Sequence, residues 1–265
     1  MRSVSHMFKY RIMTLRIIIS CFIIFVSTLC SSAQTFADED LTYRVMYKWG
    51  LINSQAGNAT LSLRTQGSNY KAMLVAHSEP WADKIYRVRD TLFATMKRDG
   101  LIATRYEKRA HEDGKYSNDI VVYERSGDNV TGHCTRIRKK NKDKPATTET
   151  KTITATGTTV DMLSVYYYLR AFDFEAMQPG ETVNLNIFSG KRNEQLSLKF
   201  VGTETIKIDK TKHQAYRVDF RFTTDGKTKS SDDMAAWIST DSRHIPLRIE
   251  GKLPVGKIQV YYTGK

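Results

Sequence analysis

Apolar and polar residues alternate with a period of two along most of the chain from residue 41 onward. The stretch 41–49 alternates first, and the alternation returns in the runs 70–76, 183–187, 196–200 and 216–222. Such alternation predicts strands with one buried and one solvated face. Asp-Gly and other Gly-containing signals separate the runs and favour tight hairpins. The pattern therefore predicts a mainly β protein, an antiparallel meander of about twelve strands.

One segment, residues 158–172, has helical periodicity instead. We expect one face of this helix to form a buried stripe of four residues: Met162, Val165, Tyr166 and Leu169. Thr158 and Asp161 have the spacing of a capping box at its start. A second, shorter helix is predicted at 80–88, where proline stands in the first turn. A long meander with one apolar helix predicts a strongly curved sheet wrapped against that helix.

The first 33 residues have the three parts of a secretory signal peptide. A basic leader precedes an apolar run of 13 residues, 17–29, and small residues follow at Ser31 and Ala33. This run is too short to span a bilayer, which needs ~20 residues. We expect cleavage after Ala33, which leaves residues 34–265 as a single domain without a transmembrane segment. The protein is then exported, to the periplasm or to an association with the outer membrane.

A lipid anchor is the alternative to soluble export. Cys21 ends a sequence that loosely resembles a lipobox, but only four residues separate it from Arg16. Cys30 follows a leucine where a small residue is required. Soluble export is therefore favoured.

The chain is basic, with 41 Lys and Arg residues against 28 Asp and Glu residues. Removal of the leader leaves 37 against 28, a formal charge of +9, and leaves Cys134 as the single cysteine. An internal disulfide is therefore impossible. An exported basic protein is not expected to meet nucleic acid; anionic envelope lipid, polysaccharide or an outer-membrane protein is the expected partner.

The basic run RIRKKNKDK, residues 136–144, is the strongest candidate for contact with an anionic surface. Its candidate contact residues are Arg136, Arg138, Lys139, Lys140 and Lys142. The alternative is a solvated hairpin loop, which is what most charge runs are.

The stretch AAWISTDSRHIPLRIEG, residues 235–251, holds many residue types found in active sites. Its apolar positions keep a period of two on either side of STDSR, which favours a hairpin. Trp237 is out of phase with its neighbours, so it lies on the opposite face, where it could form the wall of a cleft. On the helix, Tyr167 and Arg170 share a face that could line the mouth of the curved sheet. These three residues, Tyr167, Arg170 and Trp237, are the candidate ligand contacts.

No motif in the sequence predicts catalysis, a metal or a cofactor. The six histidines are dispersed, and no cysteine pair or HExxH motif accompanies them. There is no G-x-S-x-G elbow and no Gly-rich phosphate loop. Three function classes follow in order of preference: a binding or carrier module, a structural partner in an envelope assembly, and an enzyme with an unrecognised hydrolytic site.

Three segments resemble a bacterial exported family catalogued as domain of unknown function 3108. LTYRVMYKWGLINSQAGNATLSL resembles its opening strands, DMLSVYYYLR its middle, and WISTDSRHIPLRIEGKLPVGKIQV its close. The first contains the matching residues Tyr43, Val45, Tyr47, Gly50, Leu51, Ala56, Gly57, Ala59 and Leu61. The second contains Asp161, Ser164, Tyr166 or Tyr167, and Arg170. The resemblance implies a meander folded into a half-barrel and implies no established activity. The function expected is thus an uncharacterised envelope protein that binds or carries a lipid, lipoprotein or polysaccharide without catalysis.

Overall fold

The structure is a computed structural model and describes residues 35–140, 143–224, 227–253 and 255–264. The signal peptide predicted for residues 1–33 and Lys142 of the basic run lie outside the described residues. Both therefore stay predictions.

The described residues form fifteen strands, one α-helix and one 3-10 turn, so the mainly β prediction is confirmed. The first meander consists of Glu39–Trp49 (β1), Ile52–Gln66 (β2), Asn69–Ser78 (β3), Val88–Lys97 (β4), Ala103–Glu112 (β5), Lys115–Ser126 (β6), Asn129–Lys139 (β7) and Thr147–Thr156 (β8). The others are Thr159–Val160 (β9), Thr182–Phe188 (β10), Asn193–Ile208 (β11), Thr211–Thr224 (β12), Lys227–Ser239 (β13), Pro246–Lys252 (β14) and Lys257–Tyr262 (β15). The helix is Ser164–Arg170 (α1), and the 3-10 turn is Ala82–Lys84, inside the segment 80–88 predicted to be helical.

Hairpins follow the turn signals in the sequence. Between β5 and β6, Asp113 and Gly114 have φ angles of 47° and 77°. Positive φ at both central positions is what a two-residue hairpin turn requires, because its twist then matches that of the strands. The Asp-Gly signal therefore places this hairpin correctly.

All fifteen strands belong to one sheet made of two meanders. The first runs from β1 to β8 and the second from β10 to β15, and they join where β1 pairs antiparallel with β15. The short β9 pairs parallel with β10. The sheet is therefore mixed, and the predicted twelve antiparallel strands were too few. Alternation could not reveal β9, because a two-residue strand has no period.

The two edges of the sheet, β8 and β9, follow each other in the chain and come close together in space. The Asn186 side chain in β10 donates to the Thr156 carbonyl at the end of β8, at 3.0 Å. Gly132 in β7 lies against Phe188 of β10, so closely that a Cβ there would be 2.6 Å from the ring. The sheet is therefore nearly closed into a barrel, beyond the predicted half-barrel. Glycine at 132 permits this approach.

The helix α1 packs against the inner face of the sheet between two apolar clusters. Leu163 and Tyr167 belong to the first, which contains residues of β1–β8, and Leu169 belongs to the second, which contains residues of β10–β13. Tyr167 is fully buried, whereas Met162 is 40% exposed. The predicted stripe was therefore right for Leu169 and wrong for Met162. The helix has only seven residues and is enclosed by sheet, so burial is not confined to one stripe.

The start of α1 is fixed by Asp161, which is completely buried. Its Oδ1 accepts hydrogen bonds from the backbone N–H groups of Leu163 and Ser164, at 2.8 and 2.7 Å. Its Oδ2 accepts one from the Ser164 hydroxyl at 2.6 Å. Asp161 therefore satisfies the free N–H groups at the helix start, a task that the sequence pattern had assigned to Thr158. Thr158 instead precedes β9, and its carbonyl accepts from the Asn186 backbone N–H at 2.9 Å.

A β-bulge in β11 moves apolar side chains from the inner to the outer face of the sheet. The register with β12 shifts between Phe200 and Gly202. Since side chains alternate between faces, one extra residue exchanges the faces that later residues occupy. Phe200 lies in the second inner cluster, whereas Ile206 and Ile208 lie in a third cluster with Trp237. The sheet therefore carries a small apolar core on its outer face.

The burial of Tyr167 generates a test of the helix packing. Its hydroxyl makes no hydrogen bond within the described residues, so Tyr167→Phe should leave the free energy of unfolding unchanged or raise it slightly. Tyr167→Ala should lower it by about 3–5 kcal/mol, as much as Leu169→Ala, because both leave a cavity. Urea unfolding of the three variants measures this. A small loss for Tyr167→Ala would contradict the packing described for α1.

The buried carboxyl of Asp161 generates a pH test. Burial raises its pKa from 3.8 to about 6. A raised carboxyl pKa means that the folded state holds a proton which the unfolded state has released. Its contribution to stability should therefore fall as pH rises from about 4 to about 6, by on the order of 3 kcal/mol.

Asp161→Asn keeps the acceptor oxygen and removes this titration. The difference in unfolding free energy between the natural protein and Asp161→Asn, measured at intervals of pH, should change across that window. A difference that stays constant would show that the pKa of Asp161 is ordinary.

Candidate functional site

Arg170 is the largest of the almost fully buried side chains, at 1% exposure. Its guanidinium pairs with both carboxylate oxygens of Glu39 in β1, and it donates to the Arg243 carbonyl at 3.0 and 3.1 Å. Burial opposes its charge, but the hydrogen bond to Glu39 offsets that effect and the pKa of the guanidinium rises above its ordinary value. Arg170 is therefore a buried, fully engaged cation.

Aromatic rings surround the same guanidinium. Its Cζ lies 4.8 Å from the ring centre of Phe36 and 5.5 Å from those of Tyr166 and Tyr167. The structure therefore brings the candidates Tyr167 and Arg170 together, as the helix pattern predicted. It places them in the interior, however, and the predicted position at the mouth of the sheet was wrong. A ligand contact for these two residues stays untested and has lost its geometric basis.

Trp237 lies on the outer face, away from Tyr167 and Arg170. Its neighbours Ala236 and Ile238 pack in an inner cluster, and Trp237 packs in the outer one. The predicted change of face is therefore confirmed. The indole N–H donates to Glu204 at 2.7 Å, and the Arg248 guanidinium stacks on the ring at 3.6 Å from its centre. Because only 5% of Trp237 is exposed, a ligand could reach an edge of the indole but not a free ring face.

Trp237 borders a pocket of about 550 Å³ on this outer face, formed by side chains of β10–β15. Trp237 gives it an apolar wall, and Phe220 and Met234, paired across β12 and β13, border it from inner-face positions of the sheet. Two carboxylates line it, Asp219 and Glu250. Its described lining contains five cations: Lys199, Arg217, Arg221, Lys252 and Lys257. The volume is large enough for a small ligand, and the charges favour an anion.

Two of these cations differ from the others in having no ion-pair partner among the described residues. Arg217 pairs with Asp219 and Glu204, and Lys257 pairs with Glu250. Lys199 and Lys252 are exposed and have no such partner. Each ammonium can donate up to three hydrogen bonds to a phosphate or carboxylate. The pocket can therefore bind an anionic group beside an apolar wall.

The basic run is less available than the sequence suggested. Arg136 and Arg138 in β7 both pair with Asp119 of β6, at 3.1 and 2.6 Å. Their side chains are 16% and 32% exposed. Alternation along β7 places them on the same face as the buried Cys134, inside the curve of the sheet. Lys139 ends β7 and the exposed Lys140 follows it. The contact with an anionic surface stays untested, and both arginines are engaged in ion pairs, Arg136 also with Glu149.

A second group of charges lies across β4 and β5. The Lys108 ammonium lies 3.1 Å from Asp90 and 3.3 Å from Glu112, and Tyr86 donates to Glu112 at 2.9 Å. Burial raises the pKa of Asp90, while Lys108 acts in the opposite direction. Neither carboxylate borders the outer-face pocket. The group is therefore an ion-pair network separate from the candidate site.

Among the described residues, no group of three or more His, Cys, Asp or Glu side chains has the geometry to hold a metal ion. No helix in the described part of the chain has the length and hydropathy needed to cross a membrane.

The sequence did not single out the cations that line the pocket, although the pattern of one strand indicates some of them. In YRVDFRF, residues 216–222, the polar positions Arg217, Asp219 and Arg221 alternate with buried ones and therefore share the outer face. Lys199 and Lys252 belong to other strands. Their proximity depends on register and strand order, which alternation does not specify.

The fold is similar to that of a protein of known structure. A crystal structure of a beta-barrel-like protein of domain of unknown function DUF1849 from Brucella abortus matches with a TM-score of 0.60 and 12% identity, covering 87% of this chain and 98% of that one. A protein from Parabacteroides distasonis, described as a "putative lipoprotein", matches with a TM-score of 0.30 and 10% identity, covering 86% and 95% of the two chains. No curated protein matches the chain.

The sequence family described as "Protein of unknown function (DUF3108)" matches residues 42–263. This range extends from β1 through α1 to the residue after β15 and includes, apart from Leu41, the three segments whose resemblance was noted in the sequence. The chain therefore belongs to the DUF3108 family.

Proposed function

We propose that this protein is a non-catalytic binding module of the cell envelope, and that its outer-face pocket binds an anionic group. The observation that carries the proposal is the pair of exposed cations, Lys199 and Lys252, which line a pocket beside Trp237 and have no ion-pair partner among the described residues. The envelope location is supported by the signal-like features of residues 1–33.

The pocket determines the chemistry of the ligand. The stacked Arg248 covers the ring of Trp237, so a sugar ring cannot lie flat on the indole face that Arg248 covers. Trp237 offers apolar contact beside the cations. A phosphate or carboxylate attached to a small organic group fits these neighbours. Such a group is carried both by anionic lipid headgroups and by acidic polysaccharides.

Lysine substitutions test the site. Lys199→Ala and Lys252→Ala should each weaken binding of an anionic ligand about tenfold, the effect expected when one charged hydrogen bond is lost. Glycerol 3-phosphate represents lipid headgroups and a galacturonate oligosaccharide represents acidic polysaccharides. Isothermal titration with each probe measures the affinity and identifies the source of the anionic group.

Lys71→Ala is the matched control, because Lys71 is an exposed lysine of β3, far from the pocket in the order of strands. It removes the same charge and should leave binding unchanged. Equal losses in all three variants would mean that only net charge matters. If neither probe binds the natural protein, the proposal is wrong.

One observation favours the second function class, a structural partner in an assembly. The strand β8 lies at an edge of the sheet. It has ten residues, and most of its side chains are polar. An edge strand presents backbone N–H and C=O groups that another chain could pair with. The hydrolytic alternative stays a prediction without a specific observation in its favour.

A further inference from the structure

Three neighbouring loops at one end of the sheet expose large apolar side chains. They are the β1–β2 turn, the β3–β4 loop and the β14–β15 turn, and their strands are contiguous in the order β4-β3-β2-β1-β15-β14. Successive hairpin turns alternate between the two ends of an antiparallel sheet, so these three share one end. We name their exposed apolar side chains the apolar rim: Trp49, Leu51, Ile85, Tyr86, Leu253 and Val255.

The exposure of the rim is extreme for apolar side chains. Leu51 is 105% exposed, Ile85 71% and Trp49 55%. A single exposed apolar residue needs no explanation, but a contiguous group of large ones marks an interaction surface. The rim holds most of the strongly exposed large apolar residues within the described part of the chain.

Local contacts hold the loops of the rim side by side. The Tyr47 hydroxyl donates to the Val255 carbonyl at 3.1 Å, and Gly256 lies so close to Trp49 that a Cβ there would be 2.9 Å from the Trp49 Cβ. The β3–β4 loop is tied to β2 through the Trp81 indole, which donates to the Gln55 carbonyl at 2.7 Å. These contacts therefore fix the positions of the loops that carry the apolar rim.

Unpaired cations flank the rim. Lys48, Lys84, Arg87 and Lys252 are exposed and have no ion-pair partner among the described residues. Of the nearby carboxylates, Asp83 pairs with Arg89 and Glu250 with Lys257, whereas Glu79 accepts hydrogen bonds from the amides of Gln55 and Asn58. The apolar rim is therefore flanked by a surplus of positive charge.

We propose that the apolar rim docks this protein on the surface of an anionic lipid bilayer. Apolar side chains enter the boundary between headgroups and acyl chains, and the flanking cations contact anionic headgroups. Tryptophan and tyrosine are enriched at this boundary, where Trp49 and Tyr86 would lie. A protein partner would need a shaped apolar surface, whereas the rim consists of side chains that project from three turns, with a surplus of cations beside them. The apolar side chains of this surface lie outside the outer-face pocket, and Lys252 alone of the named residues belongs to both.

The test is cosedimentation of the folded protein with vesicles. The natural protein should bind vesicles of equal parts phosphatidylcholine and phosphatidylglycerol, and should not bind phosphatidylcholine alone. The double variant Leu51→Glu with Val255→Glu should lower the partition coefficient at least about tenfold, since both tips lose their apolar contact. Both side chains are in turns and more than half exposed, so folding should be unaffected.

The matched control is the double variant Met73→Glu with Val122→Glu, on exposed positions within β3 and β6 at 38% and 44% exposure. It adds the same two negative charges away from the rim and should bind vesicles nearly as the natural protein does. Tryptophan emission should shift to shorter wavelength on vesicle binding, and Trp49→Phe should remove that shift. Glycerol 3-phosphate binding at the outer-face pocket should persist in Leu51→Glu with Val255→Glu, which separates the two proposals.

Three outcomes would overturn the inference. Equal loss of vesicle binding in both double variants would show that net charge alone matters. Absence of binding to the anionic vesicles would exclude the bilayer. A dimer of the natural protein in sedimentation velocity that Leu51→Glu with Val255→Glu dissociates would identify the rim as a contact between copies.

Discussion

The buried guanidinium of Arg170 is the interaction on which the rest of the structure depends. It joins the helix to Glu39 in β1 and to the carbonyl of Arg243, in the connection that follows β13. A buried charge without partners is costly, so the helix can take its place only when both other segments are present. The three segments through which the sequence resembles its family meet at or beside this residue. Arg170 and Arg243 lie in two of those segments, and Tyr43 of the first is hydrogen-bonded to Tyr166 beside the guanidinium, whereas Glu39 precedes all three.

The second constraint is geometric: both faces of the sheet pack apolar side chains. The inner face packs on α1, and the bulge at Phe200–Gly202 gives the outer face its own apolar cluster around Trp237. The outer cluster holds Glu204, Arg217 and Arg248 in fixed positions beside the pocket. The candidate site is thus built on paired strands rather than on loops, which favours a preformed pocket.

The sequence predicted what depends on local periodicity. Alternation identified the β class, Asp113-Gly114 marked a hairpin, and the out-of-phase Trp237 was assigned to the correct face. It could not predict what depends on long-range register. The parallel pairing of β9, the near closure of the sheet and the gathering of Lys199 with Lys252 all join residues that are distant in the chain.

The errors in the helix have a different cause. A stripe of apolar residues predicts burial when a helix lies on a flat layer, but α1 is enclosed by a curved sheet. Tyr167 is therefore buried among rings although Arg170 and Ser164 are on its side of the helix, and these polar groups are satisfied by Glu39 and Asp161. Burial of polar residues by mutual pairing leaves no trace in a hydrophobic pattern.

The pairing of β1 with β15 has a consequence for how the chain folds. Thr42 and Thr263, separated by 221 positions, are hydrogen-bonded neighbours. Each meander can form hairpin by hairpin from local contacts, but the seam between them closes only after the last strand has been synthesised. Joining ends so far apart in sequence is a slow step that leaves β1 as an open edge until it is complete. A chaperone that protects open strand edges would therefore act on this protein chiefly between the formation of the first meander and the arrival of β15.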